Sequence, residues 1–116
     1  MDLASLFRNE TNAEVFSAGD TIFEAGDQAD SMYVVIEGQA DIVFNGHVIE
    51  TIEPGGVLGE LALVDQSVRS AAALAKTDVK LARVDKRRFN FLVQEHPFFA
   101  LHIMGIMAAR LRRQTT

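Results

Sequence analysis

Short apolar segments separated by turns dominate the first two thirds of the chain. Turn-forming pairs recur roughly every 7 to 10 residues, a spacing typical of an all-β sandwich or barrel. The intervening segments 32–36, 41–44 and 47–52 are rich in β-branched and aromatic residues and are predicted to be strands. Asn45-Gly46 gives the strongest hairpin signal, because a type I′ turn requires positive φ at both central residues.

Further strands are predicted on both sides of this region. They lie at 13–16, 70–74 and 79–84. In the last of these, apolar and polar positions alternate, but two additional apolar residues blur the period. At the N-terminus, Asp2 is a suitable cap for a short helix that reaches Phe7.

The hydrophobic period becomes helical after residue 84. Asp85 is a good N-cap for a helix that extends to about Glu95, and Pro97 predicts the start of a second helix. Apolar residues between 98 and 109 cover nearly every azimuth of that second helix, whereas packing on one core requires a single stripe. The helix therefore contacts a symmetry mate, the ligand or a further domain as well, or else it is buried against its own barrel on all sides.

Composition is that of a small globular protein, with 48% hydrophobic and 23% charged residues in a chain of 116. This length predicts one domain spanning 1–116. Because the sequence lacks an apolar run of about 20 residues and a signal-peptide pattern, we expect a cytoplasmic location and no membrane contact. The absence of cysteine excludes disulfides and thiolate catalysis, and the net charge of −5 argues against a chain that coats nucleic acid.

The candidate chemistry lies in one segment, residues 59–71. A short helix that opens at Gly59 would direct unpaired backbone N–H groups at an anion, and Gly59 has no β-carbon to hold the ligand away. The guanidinium of Arg69 can donate two parallel hydrogen bonds to phosphate oxygens. Glu60 would accept from neutral donors such as ribose hydroxyls, with Arg69 balancing its charge. Singly, each charged residue is more simply a solvated surface group.

Other chemistries find weaker support. His47, His96 and His102 lack the spacing of a ligand cluster, so we predict neither a metal site nor catalytic residues. A pair of carboxylates at Asp27 and Asp30 is better explained by turn capping than by calcium. The basic run 110–113 is interpreted as a helix C-terminus that complements the helix dipole.

Four segments of the chain form a recognisable set together with the basic-ended last helix. They are FEAGD at 23–27, MYVVIEG at 32–38, IEPGGVLGELAL at 52–63 and RSA at 69–71. Together these features resemble the cyclic nucleotide-binding domain of bacterial catabolite activator proteins, regulatory subunits of cyclic-AMP-dependent kinase and cyclic-nucleotide-gated channels, and the resemblance covers nearly the whole chain. It implies a mainly β fold, an eight-stranded antiparallel β-roll (jelly roll) over about 13–84. A short N-terminal helix, a cassette helix and two C-terminal helices at about 85–113 flank this roll.

The resemblance also implies a role for each cassette residue. The glutamate matching Glu60 holds the ribose 2′-hydroxyl, and the arginine matching Arg69 holds the exocyclic phosphate oxygens. Backbone amides matching Leu61 and Ala62 and the hydroxyl matching Ser70 add further contacts, beside the glycine at position 59.

Three positions depart from the family pattern, namely Leu58, Val68 and Ala72, and none of them removes a charged contact. We therefore expect a non-catalytic sensor, without a cofactor, whose ligand is cyclic AMP in preference to cyclic GMP. Cyclic GMP remains open because Ser70 can bond a guanine amino group. Ligand capture is expected to reposition the C-terminal helices.

The sequence leaves two other functional classes open. A DNA-binding regulator is the first, but no helix-turn-helix motif follows in this sequence, so no DNA-binding domain is expected in the chain. The second is a degenerate domain that acts as a protein-interaction or dimerisation module through its C-terminal helix. Besides the cyclic nucleotide, the partner expected for the chain is a homodimer mate or an effector protein that binds through the C-terminal helix.

Overall fold

Two four-stranded antiparallel sheets form the centre of the computed structural model, which describes residues 1–65 and 68–115. Within these ranges, the strands are β1 Glu14–Phe16, β2 Thr21–Phe23, β3 Ser31–Glu37, β4 Ala40–Phe44, β5 His47–Ile52, β6 Val57–Leu58, β7 Ala72–Ala75 and β8 Val79–Asp85. The first sheet has the order β1-β8-β3-β6 and the second the order β2-β7-β4-β5. The predicted β-roll is confirmed.

Helices lie at both ends of the chain and between β6 and β7. The predicted N-terminal and C-terminal helices are confirmed, whereas the cassette helix is a single 3₁₀ segment. The helices are α1 Leu3–Leu6, the 3₁₀ helix Glu60–Leu63, α2 Lys86–Glu95 and α3 Phe98–Thr115.

Both predicted N-caps are present. The carboxylate of Asp2 accepts a hydrogen bond from the N–H of Ser5 at 3.3 Å, and that of Asp85 accepts from the N–H of Arg88 at 2.8 Å. These bonds satisfy N–H groups that have no partner within the helix. None of the described helices is both long and apolar enough to cross a bilayer.

The hairpin at Asn45-Gly46 also forms as predicted, with φ angles of 51° and 78°. Most predicted strand boundaries lie within one residue of the observed ones, but β7 begins at Ala72 instead of residue 70. Val68 forms an isolated bridge with Gln28, and the backbone of Arg69 bonds to the turn at 24–27. The backbone before β7 is therefore held against that turn and not in the second sheet.

The first sheet is covered on both faces, which explains the blurred period of β8. Val79 and Leu81 pack in the core between the two sheets, while Ala82 and Val84 pack in the core beneath the helices. A strand with two apolar faces has no polar face to alternate with. The helix-side core contains residues of α1, α2 and α3 and buries mainly Leu3, Phe7, Met32, Val34, Leu92, Phe99 and Ile103.

Only one side of α3 packs on this core. Phe99 and Ile103 are fully buried, and Ile106 and Met107 pack against the core from its edge. The opposite side of the helix exposes large apolar side chains. These are Phe98, Leu101, Met104 and Leu111, each more than half exposed.

Candidate functional site

Gly59 begins the 3₁₀ helix in the left-handed conformation, with φ of 67°. A β-carbon at this position would collide with Nη1 of Arg69. The sequence suggests that glycine leaves space for a ligand, but the structure gives a different local reason. Gly59 is needed here because the backbone turns at positive φ and because the Arg69 side chain lies directly against it.

The Arg69 side chain is buried in the roll, with 8% of the residue exposed. Its Nη2 donates to the carbonyl oxygen of Ser31 at 2.7 Å, and its Nη1 donates to that of Gly59 at 3.2 Å. The Cζ atom lies 4.2 Å from the ring centroid of Phe23. Among the described residues, Nε of Arg69 is the one buried side-chain nitrogen or oxygen that lacks a hydrogen-bond partner. A buried cation therefore keeps its Nε–H donor unused.

The backbone of Arg69 is fixed by the turn after β2. The N–H of Gly26 donates to the carbonyl of Arg69, and the N–H of Arg69 donates to the carbonyl of Asp27, both at 2.8 Å. The Asp27 carboxylate closes the turn by accepting from the N–H of Glu24 at 2.9 Å. Asp27 thus caps a turn, as the sequence favours.

Burial lowers the pKa of Arg69 from its ordinary value, and the nearby acidic groups of Tyr33, Asp30, Asp27 and Glu60 oppose that shift. Arginine nevertheless remains charged at any physiological pH. The roll therefore contains a desolvated positive charge whose closest contacts are carbonyl oxygens and an aromatic face. Such a group is expected to attract an anion.

Glu60 is the other buried charge of the cassette, with 4% of the residue exposed. Its direct partner is Arg110 of α3, whose Nη1 bonds to Oε1 of Glu60. This corrects the expectation that Arg69 balances Glu60, because Arg69 acts on it from a distance. It also corrects the interpretation of Arg110 as a member of a basic helix end.

Arg110 makes two further contacts at the same place. Its Nη2 donates to the carbonyl of Val57 at 2.8 Å, and its Nε donates to Oε1 of Glu50 at 3.2 Å. Arg113 reaches the same oxygen of Glu50 at 3.2 Å. A cluster of two carboxylates and two guanidinium groups therefore attaches α3 to β5, β6 and the cassette.

The remaining predicted residues lie around these two charges. Leu61 is exposed on the 3₁₀ helix, whereas Ala62 is buried and its N–H donates to the carbonyl of Gly59 at 3.2 Å. The amide of Ala62 is thus engaged within the helix. Ser70 is exposed beside Arg69, in the segment that leads to β7. Residues 66 and 67 of the cassette segment lie outside the described residues.

Sequence reasoning missed three contributors, which are Phe23, Ser31 and Arg110. Ser31 contributes a backbone carbonyl, which no side-chain pattern reveals. The position of Arg110 could have been predicted from helical spacing. It lies seven residues after Ile103 and four after Ile106, and thus on the core-facing side of α3.

With this geometry established, comparison with known proteins identifies the family. The model of the cyclic nucleotide-binding domain matches residues 13–96, well over half of the chain. The chain belongs to the cyclic nucleotide-binding domain family. Domains of this family are regulatory and bind their nucleotide without catalysis.

Individual relatives come from several kinds of protein. The chain is 41% identical over 80 residues to the cAMP-dependent protein kinase regulatory subunit of Schizosaccharomyces pombe, covering 68% of this chain and 19% of that protein. It is 33% identical over 101 residues to the lysophospholipase nte1 of Aspergillus terreus, covering 83% of this chain and 7% of that protein. The chain thus spans less than a fifth of the length of these relatives.

Two solved structures share the fold closely. The catabolite activator protein of Thermus thermophilus has a TM-score of 0.80 at 27% identity, covering 98% of this chain and 55% of that one. A protein from a cyclic-GMP-dependent signalling pathway of bacterial phytopathogenesis has a TM-score of 0.75 at 29% identity, covering 87% of this chain and 84% of that one.

Proposed function

We propose that the chain is a cytoplasmic, non-catalytic sensor of cyclic AMP that acts as one domain over residues 1–116. The observation that carries this proposal is the buried Nε–H of Arg69 without a partner. An unsatisfied buried donor costs about 1–3 kcal/mol, and more when it belongs to a charged group. A phosphate oxygen would satisfy that donor and neutralise the desolvated charge at the same time.

In this proposal, different cassette residues bind different groups of the ligand. Arg69 holds the cyclic phosphate, and Glu60 accepts a hydrogen bond from the ribose 2′-hydroxyl. Arg110 bonds to Oε1 of Glu60, so Oε2 serves as the acceptor for the ribose. Gly59 and the amides of Leu61 and Ala62 complete the phosphate side, and the Ala62 N–H exchanges its bond to Gly59 for one to the ligand.

Base preference is proposed from the kinase-type relative, whose own name states dependence on cAMP. Cyclic GMP is the competing ligand, because one of the similar structures belongs to a cyclic-GMP-dependent pathway. Ser70 is exposed beside the site, and its hydroxyl is the group available to a guanine amino donor. A Ser70→Ala variant is therefore expected to weaken cyclic GMP binding more than cyclic AMP binding in parallel titrations.

Signal output is proposed to pass through α3. Ligand capture draws the cassette inward, and the contact between Glu60 and Arg110 transmits that movement to the helix. The nucleotide shifts the helix only by its difference in affinity for the two arrangements. Hydrogen exchange over residues 98–113 is expected to change when ligand binds, and equal protection with and without ligand would contradict this mechanism.

Calorimetric titration of nucleotide-free protein with cyclic AMP and cyclic GMP tests the proposal. Saturable binding is expected for the wild type, and loss of about 100-fold or more in affinity is expected for Arg69→Ala, because a desolvated charged contact disappears. Arg83→Ala is the matched control, since Arg83 is a surface arginine that pairs with exposed Asp30. Failure of the folded wild type to bind either nucleotide would refute the sensor function.

A second candidate function is dimerisation or effector binding through α3. The exposed apolar side of that helix favours it, with Phe98, Leu101 and Met104 exposed by 73%, 61% and 54%. Leu101→Glu is expected to leave the sheets folded and to abolish a dimer, as measured by mass in solution. Ile106 is unsuitable for this test, since it packs against the helix-side core. A wild-type monomer would contradict dimerisation.

A further inference from the structure

The position of Arg69 depends on residues outside the cassette. We propose that Phe23 is the positioning residue for Arg69, and that its ring holds the plane of the guanidinium so that the Nε–H stays available to an anion. The part of this proposal that concerns nucleotide affinity rests on the proposed function. The geometric part concerns the protein without ligand and stands independently.

The ring contact is close, and a second ring lies beside it. Cζ of Arg69 lies 4.2 Å from the centroid of Phe23 and 6.0 Å from that of Tyr33. The two rings stack on each other with centroids 6.3 Å apart and planes inclined by 26°. Cations within about 6 Å of a ring centroid are attracted to the negative face of the ring, and more strongly where water is excluded.

The ring supplies a restraint that the hydrogen bonds alone do not. The bonds from Nη1 and Nη2 to two carbonyl oxygens fix one end of the guanidinium, but they leave its plane free to tilt. An aromatic face beneath a planar cation opposes that tilt. Because the ring cannot accept a conventional hydrogen bond, it supports the charge without occupying the Nε–H.

The local backbone is built to direct Phe23 toward Arg69. Thr21 pairs with Leu74 and Phe23 pairs with Ala73. An advance of two residues along β2 therefore corresponds to an advance of only one residue along β7, which is a β-bulge. A bulge of this kind redirects a side chain. In a regular strand residues 21 and 23 share a face, yet Thr21 is exposed while Phe23 is half-buried against the inter-sheet core.

A measurement on the free protein tests the geometry. In ¹H–¹⁵N spectra of arginine side chains, the Nε–H resonance of Arg69, assigned by its loss in Arg69→Lys, is expected to shift in Phe23→Leu by more than the loss of the ring current accounts for. Phe16→Leu is the matched control, because Phe16 also packs against the inter-sheet core, whereas the rings under the Arg69 guanidinium are those of Phe23 and Tyr33. A shift in Phe23→Leu no larger than the ring current explains would overturn the proposal.

Calorimetry with cyclic AMP tests the consequence for binding. Phe23→Leu is expected to weaken binding by about 3- to 30-fold, from the usual strength of a cation on an aromatic face. Phe16→Leu is expected to change binding less than twofold, and Phe23→Tyr is expected to restore both affinity and resonance position. Phe23→Met replaces Phe23→Leu if the latter unfolds.

Equal weakening by Phe16→Leu, or failure of Phe23→Tyr to restore binding, would show a role in core packing only and overturn the proposal. If the wild type binds no nucleotide, the sensor function fails, while the resonance shift still decides whether Phe23 positions Arg69.

Discussion

The two buried charges of the site are stabilised in opposite ways. Arg69 and Glu60 are almost equally buried, at 8% and 4% exposure. Backbone carbonyls, an aromatic ring and a turn hold Arg69, all of them within the β-roll. Glu60 relies on Arg110, which lies 50 residues further along the chain in α3. The proposed phosphate side is thus fixed by the sheets, whereas the proposed ribose side is completed by a helix.

We expect this difference to separate the residues that set nucleotide affinity from those that couple binding to the position of α3. A group fixed by the roll is preorganised and adds affinity without reporting on the helix. Glu60, in contrast, is compensated by Arg110 of α3. Removal of one member of a buried ion pair leaves the other charge uncompensated. A ligand contact at Glu60 is therefore expected to depend on the position of α3. We therefore expect variants on the Arg69 side to change affinity for every cyclic nucleotide, and variants on the Glu60 side to change discrimination at the ribose.

After Arg69→Ala itself, the largest effect is expected on the Arg69 side, from Gly59→Ala. The new β-carbon collides with Nη1 of Arg69 and displaces the guanidinium, so cyclic AMP and its 2′-deoxy analogue are both expected to bind about 10- to 100-fold more weakly by calorimetry. Gly19→Ala is the control, since Gly19 has φ of +90° but no neighbour within 4 Å. It shares the strain at positive φ and should lower the melting temperature without weakening binding.

A smaller and selective effect is expected for Arg110→Met, which removes the cation but keeps the apolar stem. Glu60 then loses its partner, and cyclic AMP affinity is expected to fall about 3- to 10-fold, the usual range for one hydrogen bond. The 2′-deoxy analogue should bind the variant and the wild type within about twofold. Equal loss for both nucleotides would mean that the two halves are not separable.

The smallest effect is expected for Arg113→Met. Arg113 is an exposed arginine that shares the carboxylate of Glu50 with Arg110. An exposed ion pair contributes about 0–1 kcal/mol. Binding of both nucleotides should stay within about twofold of the wild type, and a loss as large as that of Arg110→Met would place the coupling in the whole cluster and not in the Glu60 contact.

Local signals predicted much of the fold. Caps at Asp2 and Asp85 and the hairpin at Asn45-Gly46 depend on neighbours in sequence, and the structure has them as predicted. The short strands β2 and β6 carry too few residues for a period and were reached only through the family resemblance. The double burial of β8 appears in sequence merely as a blurred alternation, because periodicity does not state what covers each face.

The residues of the candidate site could be picked out from the sequence, but the partners that they contact could not. Gly59, Glu60 and Arg69 stand out together in one segment, and the two charged side chains are buried as expected of a binding site. The partner of Glu60 is set by how α3 crosses the roll, and the support of Arg69 by a bulge in β2. Both depend on tertiary placement, so a pattern of residue types within one segment contains no trace of them.

The contact between Glu60 and Arg110 also bears on where this domain can be cut. The family match ends at residue 96, before α3 begins at Phe98. A protein trimmed to that boundary would retain the eight described strands and the cassette, yet it would lose the cation that compensates Glu60. Conventional domain limits drawn from sequence similarity would then yield a fragment with an intact region around Arg69, the proposed anion site, and an uncompensated Glu60 at the proposed sugar site.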